Sequence, residues 1–169
     1  MWVFDATPLI YLAKAEALTY LDGLEPPRFI PELVYEEVVT DGLAHDYPDA
    51  RRVERRVEAG TFDVESVENT ALFERLAENP SVSDADVAVL ALAAARSATA
   101  VMDEQYGREV ADTEGIPTRG TAYVLLSLVK QDAITAAVAR ATIDDMMDQG
   151  WYCSPNLYAR IISKLDTLS

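Results

Sequence analysis

Residues Val82–Glu104 read VSDADVAVLALAAARSATAVMDE and place acids at both ends of an apolar segment. Residues 87–95 carry no charge and are rich in Ala, Leu and Val, which predicts a helix buried nearly all round. Residues 99–102 predict a short buried strand that ends on Asp103. This segment therefore contains, in order, a first group of acids, a helix, a strand and a second group of acids.

Residues suited to helix caps support this division. Ser83 is a natural N-cap for the buried helix, and Asp86 three residues later completes a capping box. At the N-terminus, residues 2–4 predict a strand that ends on Asp5. Thr7 is then the expected N-cap and Pro8 the first residue of the next helix.

Short strands alternate with helices along the whole chain. Further strands are predicted at 28–30, 62–67 and 116–118, and further helices at 31–40, 47–59, 70–78, 104–113, 121–130, 135–148 and 155–165. This alternation predicts an α/β fold of three layers, with a short-stranded, mainly parallel central sheet between helices. No repeat or linker interrupts the pattern, so residues 1–169 are predicted to form a single domain, with the C-terminal helices (about 121–169) packed on it.

The chain is strongly acidic, with a net charge of -15, and only three of its 14 basic residues are lysine. An acidic surface that prefers arginine to lysine is typical of proteins from salt-loving organisms. We therefore predict a halophilic, archaeal origin. The charge also weakens any argument for a nucleic-acid partner from composition alone.

The melting temperature is expected to rise as KCl increases from low to molar concentration. Surface carboxylates repel one another in dilute buffer, whereas molar salt reduces the Debye length to about 3 Å and screens that repulsion. Thermal melts across a KCl series measure the effect. A flat or falling curve would contradict the halophilic interpretation.

Several classes of protein and site are excluded by composition. No apolar run approaches the length of a membrane span, and Asp5 interrupts the apolar N-terminus where a signal peptide would need an unbroken core. The expected location is therefore the cytoplasm, with no membrane partner. One cysteine, Cys153, and one histidine, His45, exclude an internal disulfide and argue against cysteine-rich zinc sites and Ser-His-Asp catalysis.

Carboxylates recur at strand ends and helix starts. Asp5 and Asp103 each close a predicted strand, and parallel strands end at one edge of the sheet. Other acids at helix starts are expected near the same edge: Asp84, Asp86, Glu36, Glu37 and Glu104. Crowded carboxylates repel one another, and oxygen-only ligands favour Mg²⁺ or Mn²⁺ over zinc. One or two such ions could activate a water for phosphodiester hydrolysis.

Each acid also has a purely structural interpretation. Asp5 could cap the first helix, and acids in a first helical turn stabilise the helix dipole without binding anything. Of Glu36 and Glu37, at least one is expected to be solvated surface. The signal for a metal site is therefore the set of acids rather than any single member.

With these residues in view, the chain resembles the PIN-domain family, most closely its small uncharacterised prokaryotic branch, which is related to toxin–antitoxin ribonucleases. The similar segments are VFDATPLIYLAK, IPELVYEEVV, VSDADVAVLALA, AVMDEQYGREVADTEGIPTRGTAYVLLSLVK and the tail GWYCSPNLYARII. Together they cover most of the chain. Glu104 departs from the pattern, because a second Asp is usual there.

The resemblance implies metal-dependent endoribonuclease activity and the residues that would carry it. The implied catalytic acids are Asp5, Glu37, Asp86 and Asp103, with Asp84 and Glu104 as further metal ligands. Thr7 and Ser83 would support them, and the candidate RNA contacts are Arg108, Arg119 and Thr121. The implied cofactor is one or two Mg²⁺ or Mn²⁺ ions. Implied partners are an RNA substrate and a small antitoxin.

Two alternatives remain open at this point. The chain could be a non-catalytic PIN-like module that binds nucleic acid or protein and uses its acids for capping. The basic group Arg51–Arg56 could be a solvated helix face or a partner site. A homodimer is also predicted, because the apolar helices at 121–129 and 135–147 supply more apolar surface than one small sheet needs.

Overall fold

The computed structural model describes residues 1–169 and contains one sheet of five parallel strands in the order β3-β2-β1-β4-β5. The strands are short: β1 (Trp2–Phe4), β2 (Arg28–Pro31), β3 (Asp63–Glu65), β4 (Thr99–Val101) and β5 (Thr118–Arg119). The predicted α/β class with a short-stranded parallel sheet is confirmed.

Helices connect the strands and complete the chain. They are α1 (Ala6–Lys14), α2 (Glu32–Tyr35), α3 (Asp41–Ala44), α4 (Pro48–Glu58), α5 (Ala71–Ala77), α6 (Asp84–Arg96), α7 (Gln105–Thr113), α8 (Thr121–Lys130), α9 (Ala136–Asp148) and α10 (Pro155–Leu168). A π-helical turn, Glu36–Thr40, joins α2 to α3 without a break, and a 3₁₀ segment, Leu18–Gly23, follows α1.

The direction of the strand connections places the helices in two layers. The chain moves from β1 to β2 and β3 in one direction, then returns to β4 and β5 in the other. Connections between parallel strands are right-handed. The helices that follow β1 and β2 therefore cover one face of the sheet, and those that follow β3 and β4 cover the other. In agreement, α1 packs against α4 and α9, whereas α6 packs against α5 and the central strands.

The burial of helix α6 explains why its sequence lacks a polar face. Every residue in 87–93 is buried, so an apolar residue is favoured at each position. Ser83 caps the helix as predicted, since its Oγ accepts a hydrogen bond from the Asp86 N–H at 3.1 Å. The buried helix thus delivers its N-terminal acids to a fixed place.

The predicted start of α1 was wrong. The N-cap is Asp5, whose Oδ1 accepts a hydrogen bond from the Ala6 N–H at 2.8 Å, and Thr7 and Pro8 lie within the first turn. Pro8 is tolerated there because the first N–H groups of a helix have no partner inside it. The helix ends at Lys14, and Glu16 then takes a left-handed conformation (φ 54°).

Other boundaries differ by a few residues. Pro31 ends β2 and caps the next helix instead of starting it. That helix continues past its predicted end at residue 40, since residues 41–44 remain helical. The strand β5 begins at Thr118 rather than at residue 116. These shifts leave the order of the elements unchanged.

The C-terminal helices pack on one another and on the first layer. α8 contacts α9 and α10, and α9 also contacts α1. Trp151, in the extended segment before α10, is buried, with 5 % of its surface exposed. None of the helices has both the length and the apolar character that crossing a membrane requires.

Candidate active site

The site lies where the strand order reverses. β1 and β4 are neighbours, but the chain leaves them toward opposite edges of the sheet. Open α/β sheets bind ligands in the crevice at the carboxyl ends of two such strands. Asp5 directly follows β1, and Asp103 and Glu104 lie just beyond β4. This crevice therefore receives acids from two adjacent strands.

Buried Asp5 and half-buried Asp86 form the centre of the acidic group. Asp5 is only 6 % exposed, and its carboxyl is close enough to the Asp86 carboxyl for each to affect the pKa of the other. Burial, followed by the negative charge of Asp86, raises the pKa of Asp5 from 3.8 to about 7, although the Ala6 N–H acts in the opposite direction. Burial also raises the pKa of Asp86. The two carboxyls thus favour sharing a proton near neutral pH.

Glu37 is the third acid that acts on this pair. It lies in the π-helical turn, and its charge contributes to the raised pKa of Asp5. The adjacent Glu36 is also exposed but is not among the charges that raise this pKa. Single π-helical turns occur frequently at functional sites, because they redirect a side chain out of register with the helix.

Glu104 faces the pair from the β4 side. Its charge contributes to the raised pKa of Asp86. Its carboxylate also caps α7: Oε1 accepts a hydrogen bond from the Tyr106 N–H at 3.0 Å, and Oε2 accepts one from the Gly107 N–H at 2.7 Å. Both roles depend on a carboxylate, and Glu reaches both backbone donors from this position.

Asp103 has different partners from the other acids. Its Oδ1 accepts a hydrogen bond from the Thr121 N–H, and its Oδ2 accepts one from the Thr121 hydroxyl, both at 2.8 Å. The Trp151 indole N–H also donates to Oδ2, at 3.0 Å. Gly120 permits this approach, since a Cβ there would stand 3.1 Å from Oδ1. Asp103 therefore joins β4 to the start of α8 and to the C-terminal segment.

The remaining predicted residues, Asp84, Thr7 and Thr121, differ in their exposure to solvent. Asp84 is the exposed first residue of α6 and forms no ion pair or side-chain hydrogen bond. Thr7 is exposed and lines a cleft beside the acids. Thr121 is fully buried, and its hydroxyl is bound to Asp103, so the predicted RNA contact at Thr121 was wrong.

A cleft of about 1160 Å³ opens beside the acids. Thr7 and Glu104 line it, which connects it to the acidic group. Three arginines also line the cleft, and none of them forms an ion pair: Arg108, Arg119 and Arg160. The other charged residues of the lining are acids: Asp103, Glu109 and Asp112. The aromatic residues in its wall are Tyr11, Tyr123, Trp151 and Tyr152. Cations and aromatic faces are the groups that hold single-stranded nucleic acid.

Part of this cleft was missed in the sequence. Tyr152 is 84 % exposed, and Tyr123 is 46 % exposed with the Arg119 guanidinium 4.9 Å from its ring centre. Arg160 lies on α10, far from the acids in sequence. The tail GWYCSPNLYARII held the available signal, because its aromatic residues precede a helix start. Only the fold shows which residues oppose them.

The donor chemistry of the acidic group suits a divalent cation. All four side chains that act on one another there are carboxylates: Asp5, Glu37, Asp86 and Glu104. Burial, followed by repulsion from Asp86 and Glu37, raises the pKa of Asp5, and a cation would relieve that repulsion as a proton does. No three of them are already close enough to form a finished ligand set. Binding would therefore require side-chain adjustment.

Comparison with known proteins agrees with this geometry. A family model described as a PIN domain matches residues 1–167. No curated protein matches the chain significantly. The match spans nearly the whole chain, and the chain therefore belongs to the PIN-domain family.

Proposed function

We propose that this protein is a metal-dependent endoribonuclease that hydrolyses RNA phosphodiester bonds. PIN domains are generally nucleases and typically use divalent metals. The observation that carries the proposal is buried Asp5 beside half-buried Asp86, where burial and then the charge of Asp86 raise the pKa of Asp5 to about 7. A protein that needed these acids only as helix caps would gain nothing from burying Asp5 beside a second, half-buried acid.

The acids divide into two roles in this proposal. Asp5, Glu37 and Asp86 would hold the ion, with Glu104 completing the set on the β4 side. Asp103 would act as a positioning residue, since its oxygens already accept three hydrogen bonds. Exposed Asp84 is a secondary candidate. This assignment differs from the sequence-based prediction in moving Asp103 out of the ligand set.

The proposed ion is Mg²⁺ or Mn²⁺, one or two per site, because the donors are hard oxygens. Such an ion lowers the pKa of water and stabilises negative charge on a phosphodiester in its transition state. The side chains of the chain would supply the ligands and exclude bulk water around Asp5. The lack of a histidine at the site is no obstacle to this chemistry.

The cleft supports RNA as the substrate. Arg108, Arg119 and Arg160 could neutralise phosphates, and Tyr152 offers an exposed aromatic face for a base. The arginines matter because the net charge of -15 otherwise repels a polyanion. The wider hypothesis that the protein is a toxin, bound by a small antitoxin and active as a homodimer, is a further part of the proposal.

Cleavage of a mixed RNA pool in Mn²⁺ or Mg²⁺ tests the proposal, with EDTA as the metal-free control. Glu36→Gln and Glu37→Gln provide a matched pair, since both glutamates are exposed and adjacent but only Glu37 acts on Asp5. Glu37→Gln should lower cleavage at least roughly tenfold, as loss of a group at a metal site does. Glu36→Gln should leave the rate nearly unchanged.

Calorimetric titration with Mn²⁺ distinguishes the possible reasons for an absence of cleavage. Metal binding without cleavage of any RNA would favour the non-catalytic binding module. Neither metal binding nor cleavage by the wild type would overturn the proposal. Equal losses in both glutamate variants would show that the assay reports overall charge rather than a site at Glu37.

A further inference from the structure

A second cavity, of about 360 Å³, lies at the corner between α3 and α4. Its lining contains three arginines and a single acid: Arg51, Arg52, Arg55 and Asp46. Leu43, Tyr47 and Pro48 complete it. In a chain with 29 acidic and 14 basic residues, this is a local reversal of charge. We refer to these seven residues as the arginine patch.

The arginines of α4 differ in whether they have bonding partners within the protein. Arg52 donates a hydrogen bond to the Ala13 carbonyl at 3.0 Å, and Arg56 lies 3.8 Å from the Asp22 carboxylate. Arg51 and Arg55 are exposed and form neither an ion pair nor a side-chain hydrogen bond.

Leaving these two arginines unpaired is unfavourable for the isolated protein. Arg51 and Arg55 lie one helical turn apart, where like charges repel. Acids are abundant on this surface, yet none pairs with either arginine. An external anionic group would relieve the repulsion.

The patch is separate from the cleft. α4 leads into β3, one edge strand of the sheet, whereas the cleft is built on α7, α8 and α10 beyond the other edge strand, β5. The two cavities share no lining residue. A substrate held in the cleft therefore does not require the patch.

We propose that the arginine patch binds a short acidic segment of a partner protein. The planar guanidinium groups of Arg51 and Arg55 match carboxylates in fork-like pairs. Tyr47 is 54 % exposed and stacks on His45 with ring centres 5.4 Å apart, so an apolar side chain beside the carboxylates would find an aromatic surface. The expected segment thus combines a few Asp or Glu residues with an apolar residue.

Charge favours such a segment over RNA. The repulsion from a net charge of -15 acts on every charge of the ligand, whereas the patch attracts only the groups that touch it. A long polyanion therefore meets more repulsion than a short segment with few carboxylates.

Fluorescence anisotropy at low salt tests the proposal with three labelled probes. These are a short peptide rich in Glu and Leu, its counterpart with Gln in place of Glu, and a short oligouridylate of similar charge. The test variant is Arg51→Gln with Arg55→Gln. Its control is Arg140→Gln with Lys164→Gln, which removes two exposed cations elsewhere on the surface.

The wild type should bind the acidic peptide more tightly than its Gln counterpart. The patch variant should lose about tenfold in affinity, and the control should change by less than about twofold. Equal binding of the two peptides by the wild type, or equal losses in the patch and control variants, would overturn the proposal. A patch variant that loses only oligouridylate binding would also overturn it and assign the surface to nucleic acid.

Discussion

Asp5→Asn should abolish Mn²⁺ binding and RNA cleavage, and at pH 8 it should make the metal-free protein more stable. Asp5 is 94 % shielded from solvent, since only 6 % is exposed, and at pH 8 it carries a buried negative charge beside Asp86. Asn is neutral and of similar size. It can still accept from the Ala6 N–H and can donate to the Asp86 carboxylate.

The expected gain in stability follows from the raised pKa. A pKa raised from 3.8 to about 7 corresponds to an unfavourable ionisation in the folded state of about 2–4 kcal/mol at pH 8. For a chain of this length, that raises the melting temperature by about 5–10 °C. A gain in stability in Asp5→Asn would indicate that the Asp5 carboxylate serves binding rather than folding.

The same pKa fixes how stability depends on pH. Between 3.8 and about 7 the folded protein keeps the Asp5 proton while the unfolded chain releases it. Wild-type stability should therefore fall as pH rises through this range and change little from this group above it. The raised pKa of Asp86 adds to the slope in the same direction. Asp5→Asn should flatten much of it.

Denaturant melts from pH 4 to 8, with EDTA present, and Mn²⁺ calorimetry measure both effects. In the melts, Asp84→Asn is the matched control, because Asp84 is exposed and its loss of charge should change stability by no more than about 0.5 kcal/mol. If Asp5→Asn left metal affinity, cleavage and stability unchanged, Asp5 would be only a helix cap, since Asn caps about as well as Asp.

Much of the fold could be predicted because local patterns agree with the final packing. The uncharged run 87–95 predicted the helix that is buried from residue 87 to residue 93. Boundaries were less accurate where two residues could serve as cap. Asp5 and Thr7 are both good N-caps, and the backbone pairing of Asp5 with β4, through its N–H and the Val101 carbonyl at 3.0 Å, favoured Asp5.

The site was only partly predictable for a different reason. The positions of Asp5 and Asp86 follow from strand ends and helix starts, which the chain shows locally. The partners of Asp103 do not, because Thr121 is 18 residues away and Trp151 is 48 residues away. Neither pairing has a local pattern, so only the packed chain shows that one strand-end acid faces its neighbours while the other anchors the C-terminal segment.

Asp103→Ala should destabilise the protein by about 3–5 kcal/mol, mainly by leaving buried donors without partners. Thr121 is fully buried and Trp151 is 5 % exposed, so water cannot easily replace the lost carboxylate at the Thr121 N–H, the Thr121 hydroxyl and the indole N–H. The start of α8 would also lose its only side-chain contact of this kind, since Gly120 cannot cap it.

Two conservative variants measure what the individual hydrogen bonds to Asp103 contribute to stability. Thr121→Val removes the hydroxyl but keeps the N–H and most of the volume. Trp151→Phe removes only the indole N–H and part of the ring. Each should cost about 1–2 kcal/mol in urea melts, because one hydrogen bond to a charged group is lost. Each variant removes one hydrogen-bond donor from Asp103 Oδ2 and leaves the carboxylate in place. Neither should therefore weaken Mn²⁺ binding, even if Asp103 is a ligand.

Mn²⁺ affinity decides the role of Asp103, measured with Asp103→Asn because it keeps the shape and part of the hydrogen bonding. A positioning residue should lose less than about tenfold in affinity, whereas loss of a ligand should match the loss in Asp5→Asn. Cleavage should nevertheless fall in Asp103→Asn and in Trp151→Phe, because both loosen the cleft wall that carries Tyr152. An affinity loss in Asp103→Asn as large as in Asp5→Asn would return Asp103 to the ligand set. It would then follow that Asp103 exchanges its hydrogen bonds to Thr121 and Trp151 for the metal.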